Sequence, residues 1–317
     1  MMAATKKRAR SRSEGRETTP VFRMPDSSLP ICSYKKQIQA ALGSSDSLIL
    51  TSSTGSGKTT HVPFFIHELM PRRTIAVTQP RRVACTSVAA YTASQVGTGE
   101  FFPSRPFNTG TLLNSSLLAS PYNNLTRPVC AELGSGVGYN VRFSRRYGPS
   151  TKILYQTDGM LLRECTSSSP ISRLFHKYGC VVIDEAHERS VGSDVILSLV
   201  RQAQKARNYN HGIKNDDDIE GEGEEVKSMR KVVRKLKIKP LKVVVMSATI
   251  STSLFASFFN ARVIDVPGRT HRVDVVYLSE SVDDYIVACA EAMARLHKTY
   301  DEGDILCFLP GADEINE

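Results

Sequence analysis

The feature that most constrains this chain is a short apolar run, Leu48-Ile49-Leu50, that passes through Ser52-Ser53-Thr54-Gly55-Ser56-Gly57-Lys58-Thr59 straight into a helical pattern ending at Leu69. A strand that enters a glycine-rich loop and leaves it as a helix is a phosphate cradle. Small residues let backbone N–H groups curl around anionic oxygens, and the helix N-terminus adds partial positive charge. Lys58 has the length to reach the β- and γ-phosphates of a nucleoside triphosphate, and the Thr59 hydroxyl is placed to bind Mg2+. Ser52 stands where the first glycine of such a loop is expected. If that position requires a positive φ, a serine there carries a conformational cost.

A phosphate cradle needs a carboxylate partner, and Val181-Val182-Ile183 runs directly into Asp184-Glu185-Ala186-His187. Asp184, at the carboxyl end of a strand, is placed to hold Mg2+ through water, and Glu185 beside it to polarise an attacking water as general base. The same alternation extends along the chain. Strands are expected at Leu48–Leu50, Thr74–Val77, Lys152–Tyr155, Cys180–Ile183, Val243–Met246 and Val263–Val266. Helices are expected at Lys58–Leu69, Arg81–Ser94, Gly192–Lys205 and Ser251–Phe259. Apolar strands alternating with amphipathic helices imply an α/β fold, a mostly parallel sheet with helices on both faces. Ligands in such sheets bind beyond the carboxyl ends of the strands, where these motifs fall.

Two segments break the alternation and read as surface insertions. Residues 97–128 are rich in Ser, Asn, Pro and Leu. Residues 208–240 begin acidic, from Asp216 to Glu225, and turn basic from Lys227 to Lys239, where a short helix is one reading. The net charge of +9 favours a polyanionic partner, but part of it sits in a tail. Residues 1–29 carry Lys6, Lys7, Arg8, Arg10, Arg12, Arg16 and Arg23 and few apolar positions, and are expected to be disordered. The tail reads as a nuclear-import address, an RNA-contacting arm or a plain solvated segment. Seven scattered cysteines without metal-ligand spacing fit a reduced intracellular compartment. No apolar run approaches the roughly 20 residues of a membrane span.

Further short motifs occur in a definite order: Thr78-Gln79-Pro80-Arg81-Arg82-Val83-Ala84, Val137-Gly138-Tyr139-Asn140-Val141-Arg142-Phe143, Thr157-Asp158-Gly159-Met160-Leu161 and Ser247-Ala248-Thr249. With Asp184-Glu185-Ala186-His187 and the loop at Ser52–Thr59, they resemble the DEAH-box ATP-dependent RNA helicases of superfamily 2. The resemblance covers roughly residues 30–317 outside the two insertions. It implies a RecA-like P-loop domain over 30–268. The remaining 269–317 is then a linker and the start of a second RecA-like domain, opened by Phe308-Leu309-Pro310-Gly311 after a strand at Asp304–Leu309.

By this resemblance Thr54, Gly55, Ser56, Gly57, Lys58, Thr59 and Thr60 cradle ATP, and Tyr91 stands near where the family stacks an arginine on the base. Asp184 and Thr59 serve Mg2+, Glu185 activates water, and His187 relays nucleotide state to Ser247 and Thr249. Single-stranded RNA is gripped through its backbone by Arg81, Arg82 and Thr157, with Arg142 a further candidate, a mode that gives affinity without reading sequence. Splicing or ribosome biogenesis, a nuclear or nucleolar location (otherwise cytoplasmic) and an activating protein partner follow from the same likeness.

The family also places arginine fingers on a second domain, and these are worth about 10³–10⁵ in rate. A chain ending at Glu317 is therefore expected to be truncated, binding ATP and RNA but hydrolysing slowly alone. The alternative is a non-catalytic, nucleotide-dependent module that binds RNA or protein.

Overall fold

A computed structural model describes residues 28–95, 133–166, 169, 171–209, 224–248, 252–268 and 272–316. The basic tail through residue 27, the 97–128 insertion and the acidic stretch before Glu224 lie outside the described residues, as does Thr249. The chain divides into two compact units, Met1–Arg269 and Thr270–Glu317.

The first unit opens with helices α1 (Pro30–Ser33) and α2 (Lys35–Ser44), then β1 (Ser47–Ser52), α3 (Lys58–Leu69), β2 (Thr74–Gln79) and α4 (Arg82–Gln95). A hairpin follows, β3 (Val137–Val141) with β4 (Ser144–Arg146), and then β5 (Ile153–Thr157), α5 (Asp158–Cys165) and β6 (Tyr178–Ile183). It ends with α6 (Val191–Arg207), α7 (Glu224–Leu236), β7 (Lys242–Ser247), α8 (Thr252–Phe259) and β8 (Arg262–Val266). The eight strands lie in the order β4-β3-β5-β2-β6-β7-β1-β8, parallel throughout except for the antiparallel β3–β4 pair.

The apolar runs of the inner strands are buried on both faces, as a parallel sheet covered by helices requires, whereas edge strand β8 buries only Ile264 and Val266. Successive residues feed opposite cores. Leu48, Leu50, Ile75, Val77, Val182 and Met246 pack with side chains of α1 to α4. Ile49, Ala76, Val181, Ile183 and Val245 pack with side chains of α5 to α8. The architecture is the mixed α/β, mostly parallel RecA-like sheet that the sequence implies.

The structure departs from the sequence reading in three places. The basic half of the 208–240 segment is no surface appendage. It forms α7, whose Val226, Met229 and Val233 join the second core and whose Arg230 is buried over the Tyr209 ring, while most of its other charges face outward. Two further strands, β3 and β4, extend the sheet beyond β5. In the second unit, α9 (Tyr285–Thr299) and α10 (Ala312–Asn316) form, but Asp304–Leu309 is not a strand. An extended segment becomes a strand only with a ladder partner, and none pairs with it among the described residues.

One buried cation fastens the lower part of the sheet. Arg207, at the end of α6, is 2% exposed, and its guanidinium donates to the carbonyls of Leu174, Phe175, Tyr178, Lys239 and Pro240 at 2.8–3.2 Å. Burial pushes its pKa down to about 9. Five carbonyls from the turn before β6, from β6 itself and from the approach to β7 thus converge on one side chain. Arg207→Leu removes this shared donor, leaving Phe175 O with its bond from the Tyr178 N–H and Tyr178 O with that from Arg73, and is expected to cost at least about 3 kcal/mol, read as a lower urea midpoint. Arg207→Lys, with three donors and no fork, should recover only a minor part.

Candidate functional site

Strand order explains how residues distant in sequence meet. β6, β7 and β1 are neighbours, so the loop after β1, Ser247 at the end of β7 and Asp184 after β6 lie side by side. On the other flank of β6, the neighbouring strands β2, β5 and β3 lead into Arg81, Thr157 and Arg142. The candidate nucleotide residues other than Tyr91 therefore come from one half of the sheet and the four candidate RNA residues from the other, with the Asp184-Glu185-Ala186-His187 turn between them.

The loop after β1 has the backbone that its glycines permit. Gly55 and Gly57 take φ of +77° and +91°, a region costly for other residues. A Cβ on Gly57 would also stand 2.8 Å from Leu29. Ser52 does not carry the strain anticipated for it. It ends β1 without a positive φ, and its hydroxyl lies 2.6 Å from that of Ser56, bracing the loop from within. Lys58 is buried, and its ammonium donates to Ser52 O at 2.9 Å, spanning the loop. Thr60 donates to Gly57 O. Thr54 is exposed on the loop. Tyr91 is half exposed on α4, with no ring contact among the described residues.

Thr59 is held from two sides. Pro63 lies inside α3 and has no N–H to return to the carbonyl four residues earlier, which belongs to Thr59. The Tyr155 hydroxyl supplies that donor at 2.9 Å. The Thr59 hydroxyl donates in turn to Asp184 Oδ2 at 2.6 Å.

Asp184 is the centre of the site. Its carboxylate is 2% exposed and accepts from Thr59 Oγ1, from Gln79 Nε2 and, at 2.9 Å, from the Glu185 N–H. Burial pushes its pKa up to about 6, against which these hydrogen bonds and the Lys58 charge act only in part. Among the described residues no group of three His, Cys, Asp or Glu side chains is placed to hold a metal by protein ligands alone. One carboxylate beside one hydroxyl fits Mg2+ instead, which keeps waters and takes phosphate oxygens as its remaining ligands.

The turn after Asp184 is strained. A 3-10 turn at Ala186–Glu188 is bracketed by Glu185 and Arg189, both left-handed at φ +51° and +47°. His187 Nδ1 accepts from the Ala248 N–H at 3.3 Å and stands 3.4 Å from Glu185 Oε2. His187 thus touches the segment after β7 that begins at Ser247, while Thr249 lies outside the described residues.

Of the RNA candidates, Arg82 is exposed at the start of α4 and Thr157 sits just ahead of α5. Arg142 lies over the Phe143 ring at 4.8 Å in the β3–β4 turn, one strand from β5 with Thr157 and two from β2, which leads into Arg81 and Arg82. Arg81 does not stand free. Its guanidinium is ion-paired with Glu188 Oε1 at 3.1 Å.

Sequence reasoning passed over Gln79, Tyr155 and Glu188. Gln79 was quoted within its motif, but its contact with Asp184 depends on β2 lying beside β6, which strand spacing does not reveal. Pro63 in a helical run was an available signal that some side chain must satisfy the carbonyl of Thr59.

Comparison with known proteins bears on the whole of this arrangement. No protein-family model matches the chain. Over 292 residues it is 36% identical to the ATP-dependent RNA helicase DHX33 of Homo sapiens, covering 91% of this chain and 32% of the relative. The Mus musculus protein of the same name matches at the same identity over 33% of its length. The pre-mRNA-splicing factor ATP-dependent RNA helicase DEAH10 of Arabidopsis thaliana is 31% identical over 302 residues, 37% of its length. The chain spans about a third of the length of these relatives.

The raised pKa of Asp184 has a stability consequence with a definite sign. A carboxyl group whose pKa is higher folded than unfolded favours the native state at low pH. That contribution is lost as pH rises through about 6. At pH 7.5 the free chain therefore carries a buried charge costing about 2–3 kcal/mol. Asp184→Asn should raise its melting temperature at pH 7.5 and leave it nearly unchanged at pH 4, as followed by scanning calorimetry. An equal shift at both pH values would sink this account.

Proposed function

From a chain whose curated homologues are DEAH-box ATP-dependent RNA helicases, we propose that it forms the ATP-binding part of an enzyme that couples nucleotide hydrolysis to the remodelling of RNA or ribonucleoprotein. The observation that carries this reading is the contact between Thr59 and Asp184, which joins the phosphate cradle to the acidic turn in one site.

Each residue then has a stated task. Backbone N–H groups from Thr54 to Thr60 surround the triphosphate, and Lys58 offsets charge on its outer phosphates. Thr59 and Asp184 are the residues that would hold Mg2+, which when bound neutralises charge building on the phosphate oxygens. Glu185 accepts the proton of the attacking water, its carboxylate 3.4 Å from His187 Nδ1 on the same turn. His187, through its contact with the Ala248 N–H, passes the state of that turn to Ser247 and Thr249. Tyr91 is assigned to the base.

Arg81, Arg82, Thr157 and Arg142 contact the sugar-phosphate backbone of single-stranded RNA, a grip suited to a protein that moves along its track. DEAH10 is named as a splicing factor, and a comparable nuclear or nucleolar task, in splicing or ribosome biogenesis, is the setting we assign, with an activating protein as partner. Among the described residues no helix is long and apolar enough to cross a membrane.

Two substitutions separate binding from chemistry. Lys58→Ala should weaken binding of a fluorescent ATP analogue by about 100-fold or more, because it removes a charge-assisted contact and the brace across the loop. Glu185→Gln should bind the same analogue within a fewfold of the unmodified chain while ATP turnover with RNA present drops about 10²–10⁴-fold. Undiminished turnover in Glu185→Gln overturns the assignment of the base. Mg2+-dependent affinity should also fall as pH drops through about 6, where Asp184 takes up its proton.

A further inference from the structure

The ion pair between Arg81 and Glu188 joins the two halves of the site. Arg81 is the first arginine after β2, and its side chain is 77% exposed, so a phosphate can reach it without disturbing the core. Glu188 closes the 3-10 turn that begins one residue after Glu185. The Glu188 charge also bears on Asp158, the buried carboxyl next to Thr157, whose pKa is raised chiefly by burial and further by Glu188. Glu188 therefore lies where the loops after β2, β5 and β6 converge, among the residues assigned to RNA.

We propose that Glu188 occupies the position of an RNA phosphate at Arg81 and must be displaced when RNA binds, so that this one carboxylate sets the RNA affinity of the chain. The proposal rests on the reading of Arg81 as an RNA contact. A guanidinium offers a planar fork that a carboxylate and a phosphate fill in the same way. Glu188 holds Arg81 through one contact, at Nη2, and a phosphate arriving at that nitrogen would meet the carboxylate at contact distance, a repulsion that disfavours joint occupancy there.

Glu188 is also tied to the chemistry. Its N–H donates to Glu185 O at 3.0 Å, and the turn that carries both is flanked by left-handed residues on each side. Such a turn persists only while its surroundings hold it. The turn is held by Glu185 N–H to Asp184, Ala248 N–H to His187, Arg189 to Asp194, the burial of Ala186, and Arg81 to Glu188. A phosphate that takes Arg81 removes the last of these and leaves the others in place. RNA occupancy is thereby felt at Glu185 without any contact between RNA and nucleotide.

The test is the affinity of the 317-residue chain for a fluorescein-labelled 12-nucleotide oligouridylate, measured by anisotropy across a salt series. Glu188→Gln keeps the shape and removes the competing charge. It should tighten binding by about two- to fivefold at low salt, the range an exposed ion pair spans. Its plot of log affinity against log salt should steepen by about 0.7, one further net phosphate contact on a single strand. A residue that merely shaped the turn would leave that slope alone.

Arg81→Ala should weaken binding, and Arg81→Ala with Glu188→Gln should match Arg81→Ala alone within error. Unchanged affinity and slope in Glu188→Gln, or the same gain with Arg81 already removed, overturns the proposal while leaving the RNA site intact. Arg81→Ala binding as tightly as the unmodified chain overturns the assignment of Arg81 and the competition with it.

Discussion

A single buried carboxylate organises the upper edge of this sheet. Asp184 gathers the Thr59 hydroxyl from α3, the Gln79 amide from the end of β2 and the N–H of its own neighbour Glu185. Each comes from a different element, so the register among β1, β2 and β6 is fixed where a ligand would meet it. The arrangement is costly in the free chain, since burial works against the charge that these donors favour. A site that stabilises a charge only partly on its own is one in which a cation improves matters. A carboxylate already satisfied by strong counter-charges would gain much less.

From that centre the two halves of the sheet take different work. Strands β1 and β7 bring the phosphate loop and Ser247, while β2, β5 and β3 bring Arg81, Thr157 and Arg142. β6 lies between them, and the turn that follows it touches both sides. Its His187 meets Ala248 on one flank, and its Glu188 meets Arg81 on the other. Two residues of one turn thus reach two loops from opposite halves of the sheet. Coupling between nucleotide and RNA needs no long route here, because the turn that carries the water-activating Glu185 is itself the bridge.

The parts of this design that were legible in the sequence share a physical cause. Strands buried on both faces must be almost wholly apolar, so Leu48–Leu50, Cys180–Ile183 and Val243–Met246 announce themselves. The phosphate loop is legible because positive φ at Gly55 and Gly57 demands particular residues in particular places. α7 was legible only as one reading, a short helix in an insertion, and its packing into the core was not, because Val226, Met229 and Val233 are its only buried apolar residues amid a dense run of Lys and Arg. β4 is three exposed residues and offers no pattern at all. Pairings such as Gln79 with Asp184 and Arg81 with Glu188 were invisible for another reason. They join segments about a hundred residues apart through a crossover, and only the strand order brings them together.

Thr59 shows how far a local defect can be turned to use. Pro63 deprives its carbonyl of the helical partner, and a buried carbonyl left without a donor is expensive. Tyr155 fills the gap from β5, two strands beyond β6. Burial pushes the Tyr155 phenol well above its ordinary range, so it stays a donor at any physiological pH. The residue proposed to bind the metal is therefore clamped through its carbonyl by β5 and through its hydroxyl by Asp184. β5 ends two residues later in Thr157, one of the proposed RNA contacts. A shift of that strand toward RNA would draw on the same hydroxyl that holds Thr59. The proline that interrupts α3 thereby gives the nucleotide loop a mechanical connection to the RNA half of the sheet, one that an uninterrupted helix would not need.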